Sequence, residues 1–156
     1  MKQLSKSGIL NLNKEIEEQY GIKEFFSKKD NVRIADFKHE IVVVKDNTPL
    51  FFYYEGKIVP TLKLLLENNI LKRVTVDMGA VRFVTSGADI MRPGIVDLDH
   101  SIKEGEFVVI VDETHGKPLA VGKALLCGEE IFRSESGKVV KNIHYVGDSL
   151  WKMGDQ

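Results

Sequence analysis

Residues Val74–Ile95, VTVDMGAVRFVTSGADIMRPGI, constrain the fold more than any other stretch of this chain. Two short β-type runs, Val74–Asp77 and Val81–Val84, flank a Gly-containing turn, and a short helical segment follows that Pro93-Gly94 ends. Ser86 suits the helix N-cap, because its hydroxyl accepts an otherwise unpaired N–H of the first turn. Asp89, three residues on, suits the positive end of that helix. A chain that passes from strand to helix and out again within 22 residues turns tight corners, as in a small barrel. Glycine usage agrees: residues 1–73 hold 3 of the 13 glycines and residues 74–156 hold 10.

The first half reads differently. Ile9, Leu12, Ile16 and Tyr20 recur at helical spacing, with Glu15, Glu17 and Glu18 on the other face, and Gly21 is the expected C-terminal stop. Three β-type runs follow, Val32–Phe37, Ile41–Lys45 and Leu50–Tyr54. Alternation sets Phe52 and Tyr54 opposite Phe51 and Tyr53, so one of these faces is a partner surface or a seam between domains. Pro60 is expected in the first turn of a second helix carrying Leu62, Leu65 and Leu66. In the second half, Phe107–Val111, Leu119–Leu126 and Val139–Tyr145 add strands, with His115-Gly-Lys-Pro118 as a hairpin connection. The expected architecture is α+β: a small α+β domain over residues 1–73, then a β-barrel with one short helix over 74–156 that has enough elements of its own to fold alone.

Composition excludes several classes. No run is long and apolar enough to span a membrane, and the N-terminus lacks a signal-peptide core. One cysteine, Cys127, permits no intrachain disulfide and fits a reducing cytoplasmic setting. His39, His100, His115 and His144 are scattered and make no zinc spacing with Cys127, so no metal or other cofactor is expected. No nucleophile elbow or carboxylate pair suggests an enzyme. Residues 1–73 carry 13 Lys+Arg against 10 Asp+Glu, and residues 74–156 carry 9 against 13. A net charge of −1 is not that of a general nucleic-acid binder, so any contact with RNA is local and shape-directed.

Four ordered stretches carry a family resemblance: Leu50-Phe-Phe-Tyr53 with Val59-Pro-Thr-Leu62-Lys-Leu-Leu65; Asp77-x-Gly79-Ala80-Val81-x-Phe83-Val84-x-Ser86-Gly87-Ala88-x-Ile90-Met91; Pro93-Gly94-Ile95; and Asn142-Ile-His-Tyr145-x-x-Asp148-x-Leu150-Trp151. Together they resemble the malignant T-cell amplified sequence family, small translation proteins with a distinctive N-terminal domain fused to a PUA domain. The resemblance implies binding of RNA, either tRNA or rRNA, and work at the small ribosomal subunit in initiation, reinitiation or tRNA release. It also implies an initiation-factor-one-like protein partner, a domain absent from these 156 residues, and the reading is of an archaeal stand-alone member.

For the residues themselves two readings stand side by side. A helix N-terminus at Ser86, Gly87 and Ala88 offers N–H groups to phosphate; Met91 and Pro93 offer packing to a splayed base, Arg92 a phosphate contact at an exposed helix exit, and Gly94 the turn. The bland alternative is capping and packing. PUA domains bind RNA along this helix and its flanking loops, and the resemblance adds weight to the first reading. Arg82 and Lys123, expected on outward strand positions, join the RNA-facing edge or are simply solvated. Tyr145 is able to stack on a base, whereas Trp151 suits a plug at the base of the barrel. A protein-interaction adaptor without RNA binding is the rival, with an RNA-modification accessory protein or enzyme behind it.

Overall fold

The computed structural model describes residues 1–153. The first half is a five-stranded antiparallel sheet, β1 (Lys2–Gln3), β2 (Val32–Phe37), β3 (Glu40–Lys45), β4 (Thr48–Tyr54) and β5 (Lys57–Pro60), in that spatial order. The three hairpins have two-residue turns, Lys38-His39, Asp46-Asn47 and Glu55-Gly56, with positive φ at both positions of each. That conformation matches the right-handed twist of the flanking strands, and Asn47 and Gly56 are the residues that reach it most easily.

Helix α1 (Lys6–Tyr20) covers one face of this sheet. Ser5 caps its start by accepting from the Gly8 N–H, and Gly21 ends it at φ 72°, its N–H donating to the Glu17 carbonyl. Ile9, Leu12 and Ile16 pack with Phe51, Ile58 and Phe26. Helix α2 (Leu62–Glu67) starts two residues later than Pro60 suggests. Pro60 is the last residue of β5, opposite Phe51, and Thr61 is the cap. The buried Thr61 hydroxyl donates to the Pro49 carbonyl and accepts from the Leu64 N–H.

The second half is a six-stranded sheet curled into a half-barrel, in the order β7-β11-β10-β9-β6-β8. Its strands are β6 (Lys72–Val76), β7 (Ile90–Met91), β8 (Ile95–Leu98), β9 (Phe107–Asp112), β10 (Pro118–Ala124) and β11 (Lys138–Tyr145). Among the described residues β6 and β9 run parallel and every other pair in this sheet is antiparallel. Short helices α3 (Val81–Val84), α4 (Gly128–Arg133) and α5 (Ser149–Lys152) fill the corners.

One expectation is overturned here. The helix in the Val74–Ile95 stretch is Val81–Val84, not Ser86–Met91, and Val81–Val84 is therefore not a strand. The Asp77 carboxylate accepts the Ala80 N–H at 2.9 Å and turns the chain out of the sheet at once. Val84 is then buried while Arg82 and Phe83 point outward, so packing overrides the β preference of the two valines. Ser86 caps no N-terminus: its hydroxyl donates to the Arg82 carbonyl at 2.6 Å, closing the helix from its other end.

Among the described residues three apolar clusters hold the molecule together. One lies under α1, and one fills the half-barrel. The third is shared: Val42, Val44, Phe52, Val59, Leu62 and Leu65 of the first half meet Phe107, Val109, Val111, Val121 and Leu150 of the second. Alternation in β4 thus sends Phe51 toward α1 and Phe52 into the seam. At the same seam the buried His144 ring accepts the Leu62 N–H on Nε2 at 3.1 Å and meets Asp148 through Nδ1 at 2.8 Å. Trp151 lies half-buried against this cluster with the Lys63 ammonium 4.7 Å from its ring centroid.

Candidate nucleic-acid interface

Between α3 and the turn Arg92–Gly94 lies an open groove of about 420 Å³. Val76, Val84 and Ile90 line it from the core side, and Ala80, Phe83, Ala88, Asp89, Met91 and Pro93 complete the walls. Phe83 and Met91 are 54% and 50% exposed, which is far more than core packing allows for side chains of this size. The Arg82 guanidinium lies 4.8 Å from the Phe83 ring centroid. An apolar trough with a cation at its lip suits a flat, partly polar ligand such as a nucleobase attached to a phosphate.

The loop from Thr85 to Asp89 is held by β11. The Asn142 side-chain amide donates to the Val84 and Ala88 carbonyls, each at 3.0 Å, and its backbone N–H donates to Asp89 at 2.9 Å. Gly87 sits at φ 94° directly on Tyr145: a Cβ there would lie 2.9 Å from the ring. Both the left-handed backbone and the contact require glycine. Across the groove, a Cβ on Gly94 would lie 3.2 Å from that of Ala80. Burial works against the Asp89 charge, but the Asn142 N–H, Lys138 and Lys141 outweigh it and hold the carboxyl below the usual carboxylate range. Lys138 reaches Asp89 at 3.0 Å.

The residues singled out from sequence divide accordingly. Ala88, Met91, Pro93 and Gly94 line the groove, and Arg82 stands beside it on α3 and not on a strand. Ser86 and Gly87 belong to the loop at its end, with Tyr145 beneath Gly87. Arg92 is not an exposed helix exit. Its Nε donates to the Ile131 carbonyl at 2.7 Å, and its terminal nitrogens donate to Ile95 and Phe132 carbonyls at 3.1 and 3.3 Å. It ties the turn to α4, whose last carbonyls need a donor. Lys123 does not line the groove; it lies on β10 and pairs with Glu55 of the first half at 2.9 Å. Phe83, Asp89, Asn142, Lys138 and Lys141 were missed. Phe83 hid inside an apparent strand, and Asn142, though it opens the C-terminal signature, shows no role until its loop is in place. Among the described residues no group of His, Cys, Asp and Glu is placed to hold a metal ion.

The PUA domain profile matches residues 72–146, and that of the domain of unknown function DUF1947 matches residues 3–68. The chain is 35% identical over 162 residues to malignant T-cell-amplified sequence 1 of Rattus norvegicus, covering 97% of this chain and 89% of the rat protein. The chain belongs to the malignant T-cell-amplified sequence family. Within the same set of relatives, the uncharacterized protein MJ1432 of Methanocaldococcus jannaschii is 45% identical over 150 residues, 95% of this chain and 93% of that one. Translation machinery-associated protein 20 of Saccharomyces cerevisiae is 33% identical over 138 residues, 83% of this chain and 76% of the yeast protein. The crystal structure of hypothetical protein PH0734.1 from Pyrococcus horikoshii superposes with a TM-score of 0.82 at 36% identity, covering 96% of both chains. A chain of an H/ACA ribonucleoprotein solved with a substrate RNA aligns over 64% of this chain and 31% of its own, with a TM-score of 0.50 at 29% identity. The Asn142–Trp151 stretch, the end of β11 with the turn into α5, holds the groove's loop through Asn142 and carries the seam's His144.

Proposed function

We propose that this member of the malignant T-cell-amplified sequence family is a non-enzymatic RNA-binding protein of the translation machinery. Its groove beside α3 would receive the unpaired 3′ end of a tRNA at the small ribosomal subunit, with an initiation-factor-one-like protein as partner. The observation that carries this reading is the exposed Phe83 and Met91 lining a trough with Arg82 at its lip, within a PUA half-barrel. A-form duplex hides base edges in its deep groove, so unpaired terminal bases are the part of a tRNA that a small trough can hold. Base stacking on one aromatic contributes about 1–3 kcal/mol. The name of the yeast relative and the RNA in the H/ACA assembly support the same assignment. Ser86, Gly87 and Ala88 would meet the backbone at the groove's end, while Arg92, Pro93, Gly94 and Tyr145 hold its shape.

The test is titration of intact tRNA and tRNA trimmed of its single-stranded 3′ end against wild type and Phe83→Ala. Intact tRNA is expected to bind more tightly, and Phe83→Ala to lose about tenfold or more while the trimmed tRNA is unaffected. Equal affinity for both tRNAs refutes the 3′-end reading. An absence of binding to any RNA favours a protein adaptor, toward which the acidic excess of residues 74–156 points.

A further inference from the structure

Lys123 on β10 and Lys141 on β11 are directly opposite each other in the antiparallel ladder. Like charges in that position repel, and nothing in a strand pairing requires them. Both are drawn into one cluster by acidic neighbours from elsewhere. Lys123 meets Glu55 of the β4–β5 turn at 2.9 Å, and Lys141 acts on both Glu55 and Asp89. Asp89 lines the groove and also holds Lys138. The lysines therefore run from the groove's rim toward the first half of the chain. Glu55 itself is 60% exposed at a hairpin tip and is free to swing away. An ion pair this open contributes little stability, so stability is a poor reason for a like-charged pair to be kept there.

We infer that Lys123 and Lys141 form a binding site for the phosphate backbone of RNA, and that Glu55 is its displaceable internal occupant. The inference rests on the RNA-binding reading and extends it: RNA with its unpaired end in the groove would continue along β11 and β10 and displace Glu55. The carboxylate then acts as a brake on affinity, suppressing weak binding to polyanions that do not also fill the groove. Backbone contact fits the cluster better than an acidic peptide does, because Lys138 of the same strand as Lys141 pairs with Asp89 at the rim of an apolar groove able to take bases.

Glu55→Gln removes the competing charge and keeps the side chain's size. Fluorescently labelled intact tRNA is titrated at several salt concentrations against wild type, Glu55→Gln, Lys141→Gln and the double variant, with thermal melts of each. Glu55→Gln is expected to bind about threefold to tenfold more tightly at low salt, with a log K against log salt slope steeper by about 0.9 for one added phosphate contact. Lys141→Gln is expected to weaken binding and flatten the slope, and the double variant to lose the gain. If Glu55 were only a structural partner of Lys123, the Gln variant would bind no more tightly, and that result overturns the inference while wild-type binding leaves the RNA reading standing. Tightening toward poly-glutamate but not toward tRNA would also overturn it, assigning the site to an acidic peptide. Failure of every variant to bind any RNA removes both readings together.

Discussion

Replacing His144 with alanine removes a buried polar link between the two halves. The imidazole is buried in the seam, accepts the first N–H of α2 on Nε2, and meets Asp148 through Nδ1. The acceptor role requires the neutral ring with its proton on Nδ1. Without it, the Leu62 N–H is left unpaired where water does not reach, a cost of about 1–3 kcal/mol. The ring also packs edge-on against Phe52 with centroids 5.5 Å apart, and its deletion leaves a void costing roughly 1–2 kcal/mol by analogy with other large-to-small core changes. Asp148 keeps the Tyr145 and Trp151 N–H groups, so its loss is partial. The expected sum is about 3 kcal/mol, measured by urea unfolding of His144→Ala against wild type, with the exposed His115→Ala expected within about 0.5 kcal/mol. Hydrogen exchange at the Leu62 amide should accelerate in step. A loss below about 1 kcal/mol, or wild-type unfolding in two separate transitions, refutes the view that this seam is one cooperative core.

Against the sequence-based expectation that the second half folds alone, a fragment of residues 72–153 should show no cooperative melt: it bares Phe107, Val109, Val111, Val121 and Leu150, which at about 1.5–3 kcal/mol each approaches the whole stability of a domain. Arg92→Ala should cost about 1–3 kcal/mol in chemical denaturation, because the Ile95 and Phe132 carbonyls lose the guanidinium while Ile131 keeps the Ser134 N–H and hydroxyl, and Arg92→Lys should not restore it because one ammonium cannot span them. Gly87→Ala should destabilise by about 1–3 kcal/mol and weaken tRNA binding further than its stability loss explains, read by melts and titration side by side. Burial opposes the Asp148 charge, but the hydrogen bond from His144 Nδ1–H and those from the Tyr145 and Trp151 N–H groups outweigh it, so its folded pKa lies below the unfolded one. That stability is present above the unfolded carboxylate value of about 4 and is lost as pH falls through the folded pKa, and Asp148→Asn should flatten this part of a stability–pH curve.

Local rules carried the first half and failed at the site. Helix α1 announces itself by its spacing and by Gly21, and the strands by β-branched runs between residues that tolerate positive φ. Those signals lie within a few residues of what they control. The Val81–Val84 helix is different: Val81, Phe83 and Val84 prefer strands, and the Asp77 turn and the burial of Val84 make the segment helical. The same misplacement hid Phe83, turned Ser86 into a cap it is not, and left Arg92 apparently free. The acceptors of Arg92 on α4 lie 39 and 40 residues away in sequence, and Asn142 finds its loop across 54 and 58. No window on the sequence spans such pairs. The family signature marked Asn142–Trp151 as important, but its division of labour between the loop and the seam becomes visible only in three dimensions.

The hairpin turns of the first sheet bear on how the chain is made. Strands β2 to β5 pair only with their sequence neighbours in this meander, so its ladder closes through short loops and forms early. The half-barrel must wait for β11 to reach both β7 and β10, and for β9 to find β6. During synthesis the meander therefore stands complete with Phe52, Val59, Leu62 and Leu65 bare on one side until Val109 and Val121 arrive. For that interval the nascent chain is a sticky half-molecule, and the completed first sheet is the template on which the later strands condense.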